Sequence, residues 1–176
     1  CKYSLNAVSE IFNVQHGGCC IRSSFWLNSK LFLDSFRDVF TQRNELLDEL
    51  FDYSQLTVSD KEVNYKNITA QKIIFCEGSQ LSDNPFQNSL PLVKNKGEYL
   101  IVRIPGLLSS KMIHSGIFCV PIGNALFWVG SNYQLDFDNE EPSEASREKI
   151  ERWLKHALKV DYTVVHHGAG IRPTVK

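Results

Sequence analysis

Residues 117–129 read IFCVPIGNALFWV, and the pattern of this stretch decides the fold class. Two apolar runs, 117–122 and 126–129, flank the small residues Gly123-Asn124-Ala125. Such an insert between two β-prone runs is typical of a hairpin turn, so the stretch predicts two antiparallel strands. Other runs predict further strands at 3–14, 55–58, 62–65, 98–104 and 161–166.

Two further segments carry apolar residues at helical spacing. Spaced leucines and phenylalanines predict a helix over 29–43, with Asn28 as its N-cap. Spaced apolar residues predict a second helix over 142–158, with Pro142 in its first turn. The sequence therefore predicts an α+β fold in which a mostly antiparallel sheet is flanked by two amphipathic helices. At 176 residues, the length is that of a single domain, 1–176.

Composition and charge exclude several classes of partner. The net charge is −1 and the basic residues are scattered, so neither nucleic acid nor an anionic membrane surface is predicted as a partner. No apolar run reaches the roughly 18 residues of a transmembrane segment. The five cysteines form an odd set with one adjacent pair, Cys19-Cys20, which favours reduced thiols and a cytoplasmic location over a disulfide framework.

The sequence offers little conventional active-site chemistry. His166 and His167 are adjacent, so on a strand they point to opposite faces and cannot chelate one metal ion together. No histidine or cysteine lies at metal-ligand spacing or within a nucleophile signature, so no metal site and no catalytic residue is predicted. A G-x-G-x-x-G phosphate loop is also absent from the sequence.

Two glycine-containing segments remain as candidates. The apolar run from Lys72 to Cys76, which ends in Glu77-Gly78, predicts a strand buried on both faces and then a close backbone approach to another group. Gly168-Ala169-Gly170-Ile171-Arg172-Pro173 predicts a turn that presents Arg172 as a rigid donor fork for a carboxylate. An ordinary strand end and a surface arginine are the plain alternatives.

Taken in order, these features resemble the D-amino-acid-oxidase-like family of FAD-dependent oxidoreductases, which includes glycine oxidase. Gly170-Ile171-Arg172-Pro173-Thr174 is the most specific match. The other stretches that are similar to the family's pattern are 17–36, 72–78, 96–100, 118–121 and 126–130.

The resemblance implies an FAD enzyme that oxidises an amine or amino acid by hydride transfer to flavin. It implies that Arg172 binds the substrate carboxylate and that Phe118 and Tyr133 line the substrate pocket. It also implies cofactor contacts at two places, and assigns residues 63–80 to a strand and turn of the FAD-binding layer. The implied cofactor-binding residues are Cys76, Glu77, Gly78, Gly170 and Ile171. No general base is required if the amine arrives neutral, in keeping with the lack of an evident acid–base pair.

The family's N-terminal phosphate loop and the stretch after the Gly-Ile-Arg-Pro segment are missing. The chain is therefore expected to be an excised substrate-side segment, inactive alone, whose partners are the small-molecule substrate and the FAD-binding parts of its own parent. The alternatives from other classes are a stand-alone module that binds carboxylates without flavin, and a structural domain that mediates assembly.

Overall fold

A computed structural model describes residues 10–14, 17–87, 91–107 and 111–175, apart from the side chains of residues 82 and 83. Its contacts divide the chain into two compact units, one formed by Cys1–Arg22 with Pro91–Lys176 and the other by Ser23–Leu90. The single-domain organisation stays a prediction. In chain order, the elements of the described residues are α1 (Ser29–Gln42), β1 (Leu56–Val58), β2 (Val63–Tyr65), β3 (Ile68–Ala70), β4 (Leu92–Arg103), β5 (Ile113–Ser115), β6 (Ile117–Gly123), β7 (Leu126–Gly130), α2 (Glu144–Ala157) and β8 (Thr163–Val175), with short 3₁₀ helices at Tyr53–Gln55 and Gly78–Asp83.

The larger unit is built on a sheet whose described strands lie in the order β5-β6-β7-β4-β8. Every neighbouring pair is antiparallel, which confirms the predicted α+β class. The hairpin between β6 and β7 is also confirmed. Its turn residues Asn124 and Ala125 have φ values of 53° and 57°, the left-handed pair that suits a two-residue turn between twisted strands.

The last strand differs from its prediction. A strand ending at His166 and a turn over 168–173 were expected, but β8 continues through this segment to Val175. Its register pairs it with β4 along the whole length of that strand, with one shift between Ile101 and Val102. Pro173 is tolerated because β8 is the outer strand among the described ones, so its missing N–H interrupts no second ladder. The predicted turn is therefore wrong.

Helix α2 covers one face of this sheet. Ser143 is its N-cap, so Pro142 precedes the helix instead of lying in its first turn, while the predicted position of the helix is confirmed. Ile150 and Leu154 are fully buried against the sheet, and each such side chain contributes roughly 1.5–3 kcal/mol of hydrophobic stabilisation. The core of this unit also contains Leu100, Val102, Ile104, Cys119, Phe127 and Val129.

The N-terminal strand prediction falls mostly outside the described residues. Of the predicted 3–14, only residues 10–14 are described. There, Phe12 forms an isolated bridge with Leu158, and Asn13 donates its backbone N–H to the carbonyl of Ala157 at 2.7 Å. This short segment closes the end of the core beside the C-terminus of α2.

Cys119 differs chemically from the other described cysteines. Burial raises the pKa of its thiol to about 12, whereas Cys19, Cys20 and Cys76 are exposed. Because the thiolate is the reacting species, we expect brief alkylation of the native protein at pH 8 to modify the three exposed thiols and spare Cys119. Peptide mass spectrometry would check this, with urea-unfolded protein as the control. Equal labelling of Cys119 in the native state would contradict the burial described here.

The unit Ser23–Leu90 contains the antiparallel strands β1, β2 and β3. The hairpin predicted from 55–58 and 62–65 is confirmed as β1 and β2, and β3 was not predicted. A small cluster of Leu56, Val63 and Tyr65 forms its core. Helix α1 begins at Ser29 with Asn28 as its N-cap, as predicted, and the Asn28 side chain accepts a hydrogen bond from the N–H of Leu31 at 3.1 Å.

The apolar run from Lys72 to Cys76 does not form the predicted strand. Residues 72–77 are irregular, and Ile74 is 84% exposed. Ile73 and Phe75 pack instead against the small core of their unit. Periodicity cannot identify so short a run, because a strand also needs a hydrogen-bonding neighbour. Among the helices that the structure describes, none is long and apolar enough to cross a membrane.

Candidate functional site

The face of the larger sheet opposite α2 carries aromatic rings and glycines. Strand alternation places Phe118, Trp128, Tyr99 and Arg172 on this side, which we call the aromatic face. Tyr99 and Trp128 stack with ring centroids 5.4 Å apart. The glycines of the same face make room for these side chains: Tyr99 lies close over Gly130 and Gly168, Arg172 lies over Gly97, and the space above Gly170 is open.

Arg172 is held at one end of the aromatic face. Its Nη2 donates to Ser131 Oγ at 3.3 Å and to the backbone carbonyl of Asn132 at 3.4 Å. Its Cζ lies 4.4 Å from the centroid of the Tyr133 ring, a cation–π arrangement. Two of the three residues expected at a substrate site, Arg172 and Tyr133, are thus in contact.

The remaining donors of Arg172 are available. Among the described residues, neither Nε nor Nη1 has a hydrogen-bond partner, and no carboxylate lies within salt-bridge distance of the guanidinium. The side chain is nevertheless only partly exposed. A guanidinium with two free nitrogens and no counter-ion among the described residues is suited to bind an external carboxylate through charge-assisted hydrogen bonds.

Phe118 occupies a different part of the same face. It lies on β6, opposite Gly130, and its side chain is 41% exposed. Its ring contacts that of His114 at 4.2 Å. Strands β7 and β4 separate it from Arg172 on β8, a span of roughly 14 Å at the usual strand spacing. Phe118 and Arg172 can therefore share a ligand only if that ligand extends across the sheet.

A buried polar cluster lies on the other side of the sheet, under α2. Glu98 is fully buried and accepts hydrogen bonds from the backbone N–H and the hydroxyl of Ser143, both at 2.8 Å. Its carboxylate also lies 2.9 Å from His167 Nε2 and 3.2 Å from Lys96 Nζ. The expectation that the chain lacks an acid–base pair is corrected by Glu98 and His167. Their position on the helix-facing side gives them a structural role.

The charge of Glu98 is stabilised where it lies. Burial alone would raise the pKa of this carboxyl, but the hydrogen bonds from Ser143, together with those from Lys96 and Ser146, outweigh it and hold the pKa below 4.5. The carboxylate also sits at the N-terminus of α2, where the helix dipole favours negative charge. Glu98 thereby ties the start of α2 to the middle of β4.

Asn132 joins this cluster to the arginine. Its side-chain oxygen accepts from the backbone N–H of Glu98 at 2.6 Å, and its amide donates to Ser146 Oγ at 2.6 Å. Its backbone carbonyl accepts from Arg172 on the opposite face. The segment that holds Arg172 is therefore anchored in the core. The roles of Ser131, Asn132 and Glu98 were not predicted from the sequence. The signal for Ser131 and Asn132 was two polar residues directly after an apolar strand.

The comparisons with known proteins agree with this architecture. The sequence matches the family model DAO, described as FAD dependent oxidoreductase, over residues 4–176. The chain belongs to this FAD-dependent oxidoreductase family. Among solved structures it is similar to glycine oxidase from Geobacillus kaustophilus, with 18% sequence identity and a TM-score of 0.56. The match covers 73% of this chain and 36% of glycine oxidase, and at this identity it shows the fold alone.

The resemblance found in the sequence is thus confirmed, and the family implies FAD as the cofactor. The space above Gly170 is open and leaves room for a ligand, because a Cβ added there would meet nothing within 4 Å. Gly170 lies on the aromatic face, two residues from Arg172 along β8. Strand alternation turns the side chain of Ile171 to the other face, so this residue could offer only its backbone to a ligand there.

The second expected cofactor segment belongs to the unit Ser23–Leu90. The carboxylate of Glu77 accepts hydrogen bonds from the hydroxyl of Tyr53 and from Asn84 Nδ2, the latter at 2.8 Å. Gly78 has a φ of 58°, a left-handed conformation that favours glycine, and Cys76 is exposed. The structure gives Glu77 and Gly78 local roles of their own, and the cofactor contact of this segment stays a prediction.

The part of the chain that the structure describes contains no cluster of potential metal ligands. No group of three or more histidine, cysteine, aspartate or glutamate side chains there could hold a metal ion. His166 and His167 point to opposite faces, since His166 lies near the Tyr99 ring and His167 contacts Glu98.

Shallow depressions of about 320 and 310 Å³ lie along the C-terminal half of α2, and Arg172 lines neither of them.

Proposed function

We propose that this chain is the substrate-side part of an FAD-dependent oxidoreductase that oxidises an amine or amino acid. The observation that carries the proposal is the set of contacts around the Arg172 guanidinium. Three neighbours hold its guanidinium, while Nε and Nη1 have no partner among the described residues. Such an arginine can accept a substrate carboxylate with little reorganisation, and pre-organisation of this kind adds to binding affinity.

A second polar group supports a ligand that carries both a carboxylate and N–H donors. Asn95 lies directly across from Arg172 in the strand register, and its Oδ1 is buried with no partner among the described residues. An unpaired buried acceptor costs about 1–3 kcal/mol. Asn95 Oδ1 would accept a hydrogen bond from the amine of a substrate whose carboxylate is bound to Arg172.

The chain's own residues would orient the substrate. Arg172 would hold the carboxylate, and the rings of Tyr133, Tyr99 and Phe118 would exclude water from the aromatic face. Bound FAD supplies the acceptor for the hydride of the amine-bearing carbon. The backbone at Gly170 and Ile171 would contact the cofactor. The cofactor contacts expected at Cys76, Glu77 and Gly78 belong to the unit Ser23–Leu90 and are a separate proposal. A substrate that arrives as a neutral amine requires no general base from this chain.

The 36% coverage of glycine oxidase supports a division of labour with further FAD-binding parts of a longer protein. We propose that the chain is inactive without them and that the protein works in the cytoplasm, where the free thiols of Cys19, Cys20, Cys76 and Cys119 stay reduced. Anaerobic reduction of the flavin in the longer protein by a panel of carboxylated amines tests the activity. Failure of every amine and amino acid to reduce it would refute the proposed reaction.

The isolated 176-residue chain is expected to bind FAD weakly. It contains no G-x-G-x-x-G loop to provide backbone donors for the pyrophosphate. Titration of FAD with the purified chain, followed by flavin fluorescence, checks this, and the longer protein is the positive control. A stoichiometric complex of micromolar or tighter affinity would contradict the proposed division of labour.

A further inference from the structure

Gly97 lies directly beneath the arginine of the proposed site. In the register of β4 and β8, Gly97 pairs with Gly170, and the position two residues before it, Asn95, pairs with Arg172. The Arg172 side chain crosses β4 over Gly97 on its way to Ser131 and Asn132. The space above Gly97 is therefore filled by the guanidinium.

A side chain at Gly97 would collide with that guanidinium. A Cβ built there lies 2.6 Å from Arg172 Nη2 and 3.3 Å from both Arg172 Cζ and the carbonyl oxygen of Asn132. The backbone conformation does not itself require glycine, because Gly97 is not among the residues with positive φ. Glycine is needed here for the space that it leaves.

We infer that Gly97 is a positioning residue, whose missing side chain allows Arg172 to lie across β4 with Nε and Nη1 free for a ligand. The inference rests on the proposed function in one respect, which is that Arg172 binds a carboxylate. Even a methyl group would push the guanidinium out of this orientation. The bonds from Nη2 to Ser131 and Asn132 are 3.3 and 3.4 Å long, so a displacement of a few tenths of an ångström breaks them.

The experiment compares Gly97→Ala, Arg172→Ala and the double variant in the longer, flavin-containing protein. Propionate serves as a non-oxidisable carboxylate for measuring Kd, and glycine and sarcosine serve as oxidisable probes. Gly97→Ala should weaken propionate binding about tenfold or more and lower kcat/KM by about 10- to 100-fold, with flavin content unchanged, because misplacing a positioning group by about 1 Å has effects of this size. In the Arg172→Ala background, the added methyl should change neither quantity.

Stability provides an independent readout. If Gly97→Ala lowers the Tm, removing the Arg172 side chain should restore it, because that side chain is the group which the methyl strikes. A loss of Tm that persists in the double variant would overturn the inference, as would equal effects of Gly97→Ala on propionate binding with and without Arg172. An unchanged Kd in the Gly97→Ala variant, while Arg172→Ala abolishes binding, would also overturn it.

A different experimental result is expected if the proposed function is wrong. The Arg172→Ala variant would then bind propionate as tightly as the unmodified protein does. A crystal structure of Gly97→Ala would still decide the positioning role. A guanidinium moved away from Ser131 and Asn132 supports it, and one that keeps both hydrogen bonds overturns it.

Discussion

Replacing Arg172 with alanine in the longer protein should lower kcat/KM for carboxylated amines by about 30- to 1000-fold. Loss of a charge-assisted contact in a partly dry site costs about 2–4 kcal/mol, and each 1.36 kcal/mol corresponds to a factor of ten. Arg172→Lys should recover only part of this loss, because a single ammonium lacks the planar fork. Steady-state kinetics with several carboxylated amines is the measurement.

A matched control for this result is Arg103→Ala. Arg103 lies at the end of β4, exposed, and donates to the carbonyl of Asn124 at 3.0 Å, away from the proposed site. Its removal should leave kcat/KM unchanged, and flavin content should be the same in both variants. If Arg172→Ala keeps kcat/KM within about threefold for every carboxylated amine tested, the assignment of Arg172 to the substrate carboxylate is wrong.

Replacing Glu98 with glutamine should lower the free energy of unfolding by about 3–5 kcal/mol. The side chain of Lys96 is only 4% exposed and would lose the carboxylate that lies 3.2 Å from it. The N-terminus of α2 would also lose one of the two acceptor oxygens that bind the N–H and the hydroxyl of Ser143. Urea unfolding at pH 7 measures the difference, with the exposed Glu140→Gln as the control. A loss below about 1 kcal/mol, typical of a surface pair, would show that the cluster does not stabilise the fold.

The same glutamate predicts how stability depends on pH. The pKa of Glu98 is lower in the folded protein than its ordinary value of 4.5, so the unfolded chain binds the proton more readily. The stabilisation is complete above pH 4.5 and is lost as the pH falls through the lower folded value. Lys96 and His167 are the other charged or titratable groups that face this carboxylate. The gap in unfolding free energy between Glu98→Gln and the unmodified protein should therefore narrow in acid. Urea unfolding across this pH range measures it, and a constant gap would contradict the prediction.

Local sequence patterns were enough to predict the two helices and the turn between β6 and β7. Asn28 caps α1 as its sequence predicted, because an N-cap depends on a side chain and a backbone N–H three residues apart. The turn at Asn124 and Ala125 likewise depends on the conformations of two consecutive residues. The identity of Arg172 as the arginine of interest was also available from its motif, since Gly170-Ile171-Arg172-Pro173 is contiguous in the sequence.

Strand β8 and the surroundings of Arg172 depend on pairing between segments that are far apart in the sequence. Residues 168–173 became strand because β4 offers them a complete ladder from about 75 residues earlier in the chain, a partner that no local pattern reveals. Ile73 to Cys76 stayed irregular because, among the described strands, none pairs with them. The same pairing brought Gly97 beneath Arg172 and Glu98 beside His167. The sequence by itself thus singled out Arg172 as the residue that we propose binds a carboxylate. The tertiary structure determined what holds that residue, because a strand receives its neighbours from wherever in the chain its hydrogen bonds are completed.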